Sequence, residues 1–171
     1  MRPVERRGGR REAGAGGRYA QIGQTAMIGL LQRVVEASVD IGAQRVASIG
    51  PGLMVLVGVR PDDDESSALR LLGRLLQYRV FADEAGKMNL SLGQVQGHLL
   101  LVPQFTLAAE THKGLRPGFS TAAPPEQGRH LFDTLVQAAR AQHGRVQTGV
   151  FGAHMRVSLT NDGPVTFWLE S

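Results

Sequence analysis

Residues 52–59, GLMVLVGV, carry no polar side chain at any position. The run is too short to cross a membrane as a helix, which takes about 20 residues. A short, continuous apolar run reads instead as a strand covered on both faces. Residues 98–107, HLLLVPQFTL, have the same character, with Pro103 interrupting the run. Two helices can supply part of that cover. In DDDESSALRLLGRLLQYR, Asp62 and Glu65 form an Asp-x-x-Glu pattern that predicts a capped start. Leu69, Leu72 and Leu76 then recur at helical spacing. In PPEQGRHLFDTLVQAARAQHG, proline sits in the first turn, Leu131, Leu135 and Ala138 share a face, and Gly144 marks the stop.

The other segments read as strands and loops. Residues 27–41 are strand-like, and residues 44–50 form a short partner after a turn at 41–43. Residues 83–92 read as a loop with a turn near Gly86, and residues 111–120 as a polar loop. MRVSL and VTFWLE, near the C-terminus, flank NDGPVT, whose simple reading is a hairpin turn between two strands. The total is about seven or eight strands and two helices, too few helices for regular βαβ alternation. The predicted fold is α/β of the α+β type: a mixed, largely antiparallel β-sandwich with helices packed outside. No internal repeat is visible.

Charge divides the chain into two regions. Residues 1–26 hold six of the 19 Lys and Arg side chains and two of the 15 Asp and Glu, a balance of +4 that equals the total. Residues 27–171 therefore keep 13 of each sign and no net charge. Overall charge cannot hold nucleic acid to this part; a local patch must do so. The glycine- and arginine-rich leader, residues 1–26, has almost nothing to bury and is expected to be disordered. A basic tail, a transit peptide and an upstream start before a domain of residues 27–171 are its competing readings, the last preferred.

Much chemistry is excluded. There is no cysteine, hence no disulfide, thiolate metal site or cysteine nucleophile. The histidines form no His-x-x-x-His or related zinc pattern, so no metal is expected. The acidic run 62–65 suits a helix N-terminus better than a cation. No Gly-x-Ser-x-Gly elbow or phosphate-binding loop occurs. A hydrolase of this sequence must work with backbone groups, one hydroxyl or the substrate itself.

Five blocks in order, GKMNLSL (86–92), QFTL (104–107), KGLRPGFSTAAPPE (113–126), TGVFGAHMRVSL (148–159) and NDGPVT (161–166), resemble the D-aminoacyl-tRNA deacylase family. The resemblance covers residues 27–171. It implies a cytoplasmic homodimer that hydrolyses the ester between a D-amino acid and the 3′-terminal adenosine of tRNA, and also clears glycyl-tRNA. It implies no cofactor, no metal, and no DNA or membrane partner.

The resemblance also assigns roles. It implies that the Gly163–Pro164 bond is cis and that the pair reaches into the partner subunit's active site, where an immobile main-chain corner rejects L-residues. A side chain at Gly163 is expected to intrude on the substrate's space. Gln104, Phe105 and Thr106 line the pocket for the adenosine and the ester, with main-chain N–H groups facing a developing oxyanion. Thr106 is expected to orient water rather than attack, since no base lies near it in sequence. Pro103 stands where the family usually has serine, and so removes a hydroxyl and an N–H. That departure keeps open a second reading, a tRNA- or D-amino-acid-binding module without catalysis. Arg33 matches an arginine that supports the Gly-Pro element; the alternative is an exposed strand arginine. Phe151 and Met155 are candidates to pack on adenine, or else belong to the core. Lys113 and Arg116 are candidates for the phosphate patch.

Overall fold

The computed structural model describes residues 26–171. The leader expectation for residues 1–25 lies outside them. Ala26 is buried, and its carbonyl accepts a hydrogen bond from the Arg60 guanidinium, so it belongs with the folded domain.

The strands are β1 (Ile28–Ile41), β2 (Gln44–Ile49), β3 (Gly52–Gly58), β4 (Arg79–Ala82), β5 (Met88–Ser91), β6 (His98–Pro103), β7 (Val146–Thr148) and β8 (Arg156–Glu170). The helices are α1 (Glu65–Gln77), the single turn α2 (Leu92–Val95) and α3 (Pro125–Gln142). The architecture is mixed α/β: a six-stranded, nearly closed barrel-like sheet and a separate β4–β5 hairpin. β1 is its spine. β8 pairs antiparallel along one edge of β1, while β2 and β3 share the other edge. β3–β6 and β6–β7 are parallel.

The apolar runs are explained by two cores. Leu53, Val55 and Val57 of β3 and Leu99 and Leu101 of β6 face the cluster built with Leu71, Leu72 and Leu75 of α1 and Leu131 and Leu135 of α3. Met54, Leu100 and Val102 point the other way, onto Ala47 and Ile49 of β2 and Val157 and Leu159 of β8. Helices cover one face, and the curl of the sheet covers the other. Each fully buried aliphatic side chain stabilises the fold by roughly 1.5–3 kcal/mol.

Four expectations need correction. First, Asp64, not Asp62, caps α1: its Oδ1 accepts from the Ser67 N–H at 2.8 Å, and Ser67 Oγ answers the Asp64 N–H at 3.4 Å. Asp63 instead turns inward, where its Oδ2 accepts from the Arg60 N–H at 2.7 Å. The buried stripe of α1 is Ala68, Leu71, Leu72 and Leu75, whereas Leu69 is half-exposed. Second, residues 79–91 form a hairpin around the expected turn at Gly86, so that part of the loop expected over residues 83–92 is the strand β5. Third, β6 stops at Pro103, and Phe105–Ala108 form a 3₁₀ turn rather than continuing the strand. Fourth, NDGPVT is not a hairpin. Both flanking segments belong to β8 and pair with the same strand in the same direction, from Val34↔Asn161 to Gln32↔Thr166. Between those pairs, residues 162–165 stand opposite Arg33 alone. The motif is a bulge thrown out of a continuous strand.

Candidate active site

The C-terminal end of β6 opens onto a cavity of about 420 Å³. Its walls are Val57, Val102 and Pro103 from the sheet, Gln104 and Phe105 from the turn after β6, Phe132 from α3, and residues 151–155 from the loop before β8. Pro103 pairs with Val57 at the last position of the parallel ladder, and the Gln104 N–H donates to the Val57 carbonyl at 2.7 Å. The chain then tightens into the 3₁₀ turn, closed by Leu107 N–H to Gln104 O at 3.2 Å. The first N–H groups of such a turn have no partner within it, which leaves Phe105 and Thr106 as donors at its start.

Thr106 is exposed and does not line this cavity. It is coupled to the wall through Gln104, whose Nε2 donates to Thr106 Oγ1. With its oxygen accepting, the hydroxyl proton of Thr106 is available to a further acceptor. Among the described residues, no ionisable side chain is hydrogen-bonded to it.

Phe151 and Met155 both line the cavity. Phe151 packs at 6.5 Å from Phe132, and the Arg129 guanidinium lies 5.0 Å over its ring. Gly128 lets the helix approach: a Cβ there would lie 3.3 Å from Phe151 Cζ. The Met155 sulfur accepts from the Val150 N–H at 3.3 Å. Lys113 and Arg116 sit on the exposed 111–117 loop and are not part of the wall.

The bulge lies outside its own chain's cavity. Gly163 and Pro164 are exposed, and the peptide between them is cis. Arg33 grips the bulge from below. Its Nε is 3.0 Å from Asp162 O and 3.2 Å from Asp162 Oδ2, and its Nη1 donates to Val80 O of β4 at 2.5 Å. Its side chain is 15 % exposed, so it is not a free surface arginine. Gly163 has φ +146°, and a Cβ there would come within 2.6 Å of Val165 Cγ2 and 2.8 Å of Val165 N. A side chain at Gly163 would thus meet the bulge itself at Val165.

Residues 30–170 match the sequence profile of the D-Tyr-tRNA(Tyr) deacylase family. The chain belongs to that family. It is 60 % identical over 145 residues to a D-aminoacyl-tRNA deacylase of Azotobacter vinelandii, covering 85 % of this chain and all of the relative. A solved structure described as c-Myc DNA unwinding element binding protein superposes with TM-score 0.81 at 37 % identity, over 84 % of this chain and 98 % of the other. A probable eukaryotic D-amino acid tRNA deacylase shares the fold, with TM-score 0.77 at 19 % identity, over 85 % and 100 %.

Within this deacylase, the sequence missed several cavity residues: Val57, Val59, Ala123, Gly128, Phe132 and His154. The valines and Phe132 look like ordinary core in the sequence. Only Gly128, a glycine inside a helix, gives a local signal, because helix interiors disfavour it by about 1 kcal/mol against alanine. Among the described residues, no His, Asp and Glu group suited to holding a metal is found. No helix there is long and apolar enough to cross a membrane.

Proposed function

We propose that this protein is a cytoplasmic, homodimeric hydrolase of D-aminoacyl-tRNA and of mischarged glycyl-tRNA. In this reading, the terminal adenosine enters the cavity, with its base against Phe151 and Met155. The aminoacyl ester then lies beside the turn at residues 104–106. Water adds to the ester carbonyl carbon, the bond from that carbon to the ribose 3′ oxygen breaks, and a proton ends on that oxygen. N–H groups at the start of the turn receive the oxyanion, a type of interaction worth about 2.7–4 kcal/mol per donor. Thr106, its oxygen already engaged by Gln104 Nε2, orients water or the ester as a donor. The ribose 2′ hydroxyl stands beside the reacting bond and is a candidate proton carrier.

Selection comes from the bulge. The reading places residues 163 and 164 of one protomer over the cavity of its partner, where main chain cannot rotate away from an L side chain. Glycine and D-residues leave that space empty. Arg33 holds the element through two carbonyls and one carboxylate, a task suited to its rigid fork of donors. Lys113 and Arg116 offer local positive charge to the phosphates of the tRNA end, as a domain without net charge requires.

The observation that carries the reading is the joining of the Gln104–Phe105 wall and the Phe151–Met155 wall in one cavity large enough for a nucleoside. The test is the hydrolysis rate of matched D-tyrosyl-, L-tyrosyl- and glycyl-tRNA. Steady release of D-tyrosine and glycine, with L-tyrosyl-tRNA intact, is expected. Binding without turnover would instead assign a tRNA-binding module, with Pro103 as the disabling change.

A further inference from the structure

A bulge in a β-strand leaves its residues without ladder partners, and each loses the hydrogen bonds that the neighbouring strand would supply. Residues 162–165 face Arg33 alone, so their peptide groups must find partners elsewhere. One residue outside the bulge takes up that role. Asn161 Oδ1 accepts from the Val165 N–H at 2.6 Å, and Asn161 Nδ2 lies 3.1 Å from the Val165 carbonyl. The carboxamide thus makes with the Val165 peptide the two-point pairing that a strand would make. Its orientation is fixed, because an N–H can only donate and a carbonyl can only accept. The same Nδ2 lies 3.1 Å from Thr166 Oγ1 and 3.2 Å from Gln32 Oε1 of β1. Asn161, the last paired residue before the bulge, and Val165, the bulge's last residue, are therefore joined by a side chain, and the join is tied to the spine strand. Asn161 is half-buried and Val165 is buried, so competition from water is reduced.

We propose that Asn161 is a positioning residue of the deacylation site, its carboxamide replacing the missing strand partner of Val165 and fixing the shape in which Gly163 and Pro164 are presented. The inference rests on the reading of that corner as the element that selects substrate. It assigns different tasks to the two grips on the bulge. Arg33 sets where the bulge stands relative to β4, through Val80 O, whereas Asn161 sets its internal shape.

The test uses the full chain and the variants Asn161→Ala and Asn161→Asp. Asn161→Ala removes both bonds to Val165. Asn161→Asp keeps the acceptor for the Val165 N–H but sets a second carboxylate oxygen against the Val165 carbonyl. Both are expected to lower kcat for D-tyrosyl-tRNA by about 10- to 100-fold, the scale of a slightly misplaced reacting group. KM should change less, and the preference for D- over L-tyrosyl-tRNA should narrow. A merely stabilising residue would lower the melting temperature and leave both kcat and that preference in place; this result overturns the proposal. Hydrogen exchange supplies an independent arm. The Val165 amide of the wild-type protein should be protected, and Asn161→Ala should release it while β1 and β3 amides stay protected. A wild-type Val165 amide exchanging at the rate of a free peptide overturns the proposal even if neither variant folds. If the wild-type protein releases no D-tyrosine, the proposed function fails, and the exchange arm still decides whether Asn161 shapes the bulge.

Discussion

Replacing Gly163 by alanine tests whether the bulge acts through its shape. The added Cβ would begin 2.8 Å from Val165 N and 2.6 Å from Val165 Cγ2, where ordinary contact starts at 3.4 Å. Relief therefore requires a displacement of about 0.6–0.8 Å, the differences between those distances. A rotamer change could move Cγ2, but Val165 N is main chain and is held by Asn161 Oδ1 at 2.6 Å. The backbone must give. Its φ of +146° is also a region that side-chain-bearing residues avoid, at a cost of about 1–3 kcal/mol. Because the corner is exposed, it relaxes instead of transmitting the strain to the core. The expected loss of unfolding free energy in urea is thus at the low end, about 1 kcal/mol. A shift approaching 1 Å at a reacting site costs about 100-fold, so kcat/KM for D-tyrosyl-tRNA should fall by about 10- to 100-fold. The assay pairs urea unfolding with single-turnover deacylation. An alanine variant with kcat/KM within about twofold of wild type, a change of under about 0.5 kcal/mol, would show that the geometry of this corner does not govern the reaction.

Three further outcomes check the fold. Gly52→Ala would put a Cβ 2.0 Å from the His98 carbonyl oxygen and 2.6 Å from His98 N, both main chain across the β3–β6 ladder. It should destabilise by about 3 kcal/mol or more, read as insoluble protein or a steep fall in the urea midpoint. Asp64→Ala should lower the melting temperature at neutral pH. Hydrogen bonds from the Ser67 N–H and from the Ser66 and Ser67 hydroxyls pull the Asp64 carboxyl down to about 2. That stability is present above the ordinary carboxyl value and is lost as pH falls toward 2, so the wild-type and variant melting curves should converge there. Asp63→Asn should act in the opposite sense. Burial raises the Asp63 carboxyl, against the Arg60 N–H, and Asp63 Oδ1 has no hydrogen-bond partner among the described residues. The charged form costs stability at neutral pH, and that cost disappears as the carboxyl protonates. The variant should be more stable than wild type at pH 7, with the gap closing on acidification; a gap constant with pH would refute the assignment.

The elements that local chemistry controls were legible in the sequence. Continuous apolar runs gave β3 and β6, because strands buried on both faces need no alternation. Helical spacing and flanking proline gave α1 and α3. The boundary errors have local physical causes. Asp62, Asp63 and Asp64 are chemically equal as caps, and only the inward turn of Asp63 onto the Arg60 N–H leaves Asp64 at the helix start. QFTL has the composition of a strand, but the ladder ends at Pro103, and the turn after it decides the rest. For the site, the sequence named Gln104, Phe105, Phe151 and Met155, and the fold brings all of them to one cavity. Thr106 stands outside that wall, and Lys113 and Arg116 lie apart on a loop.

By itself, the sequence determined which segments had to be buried, where charge was absent, and which devices of catalysis were missing. It also placed glycine and proline side by side at residues 163 and 164. Whether that pair turned the chain back or left it running straight was a question of pairing between residues far apart in the chain. Only the tertiary structure decided it, because both halves of β8 pair with the same edge of β1. The residues between, with Arg33 alone opposite them, have nowhere to go but outward.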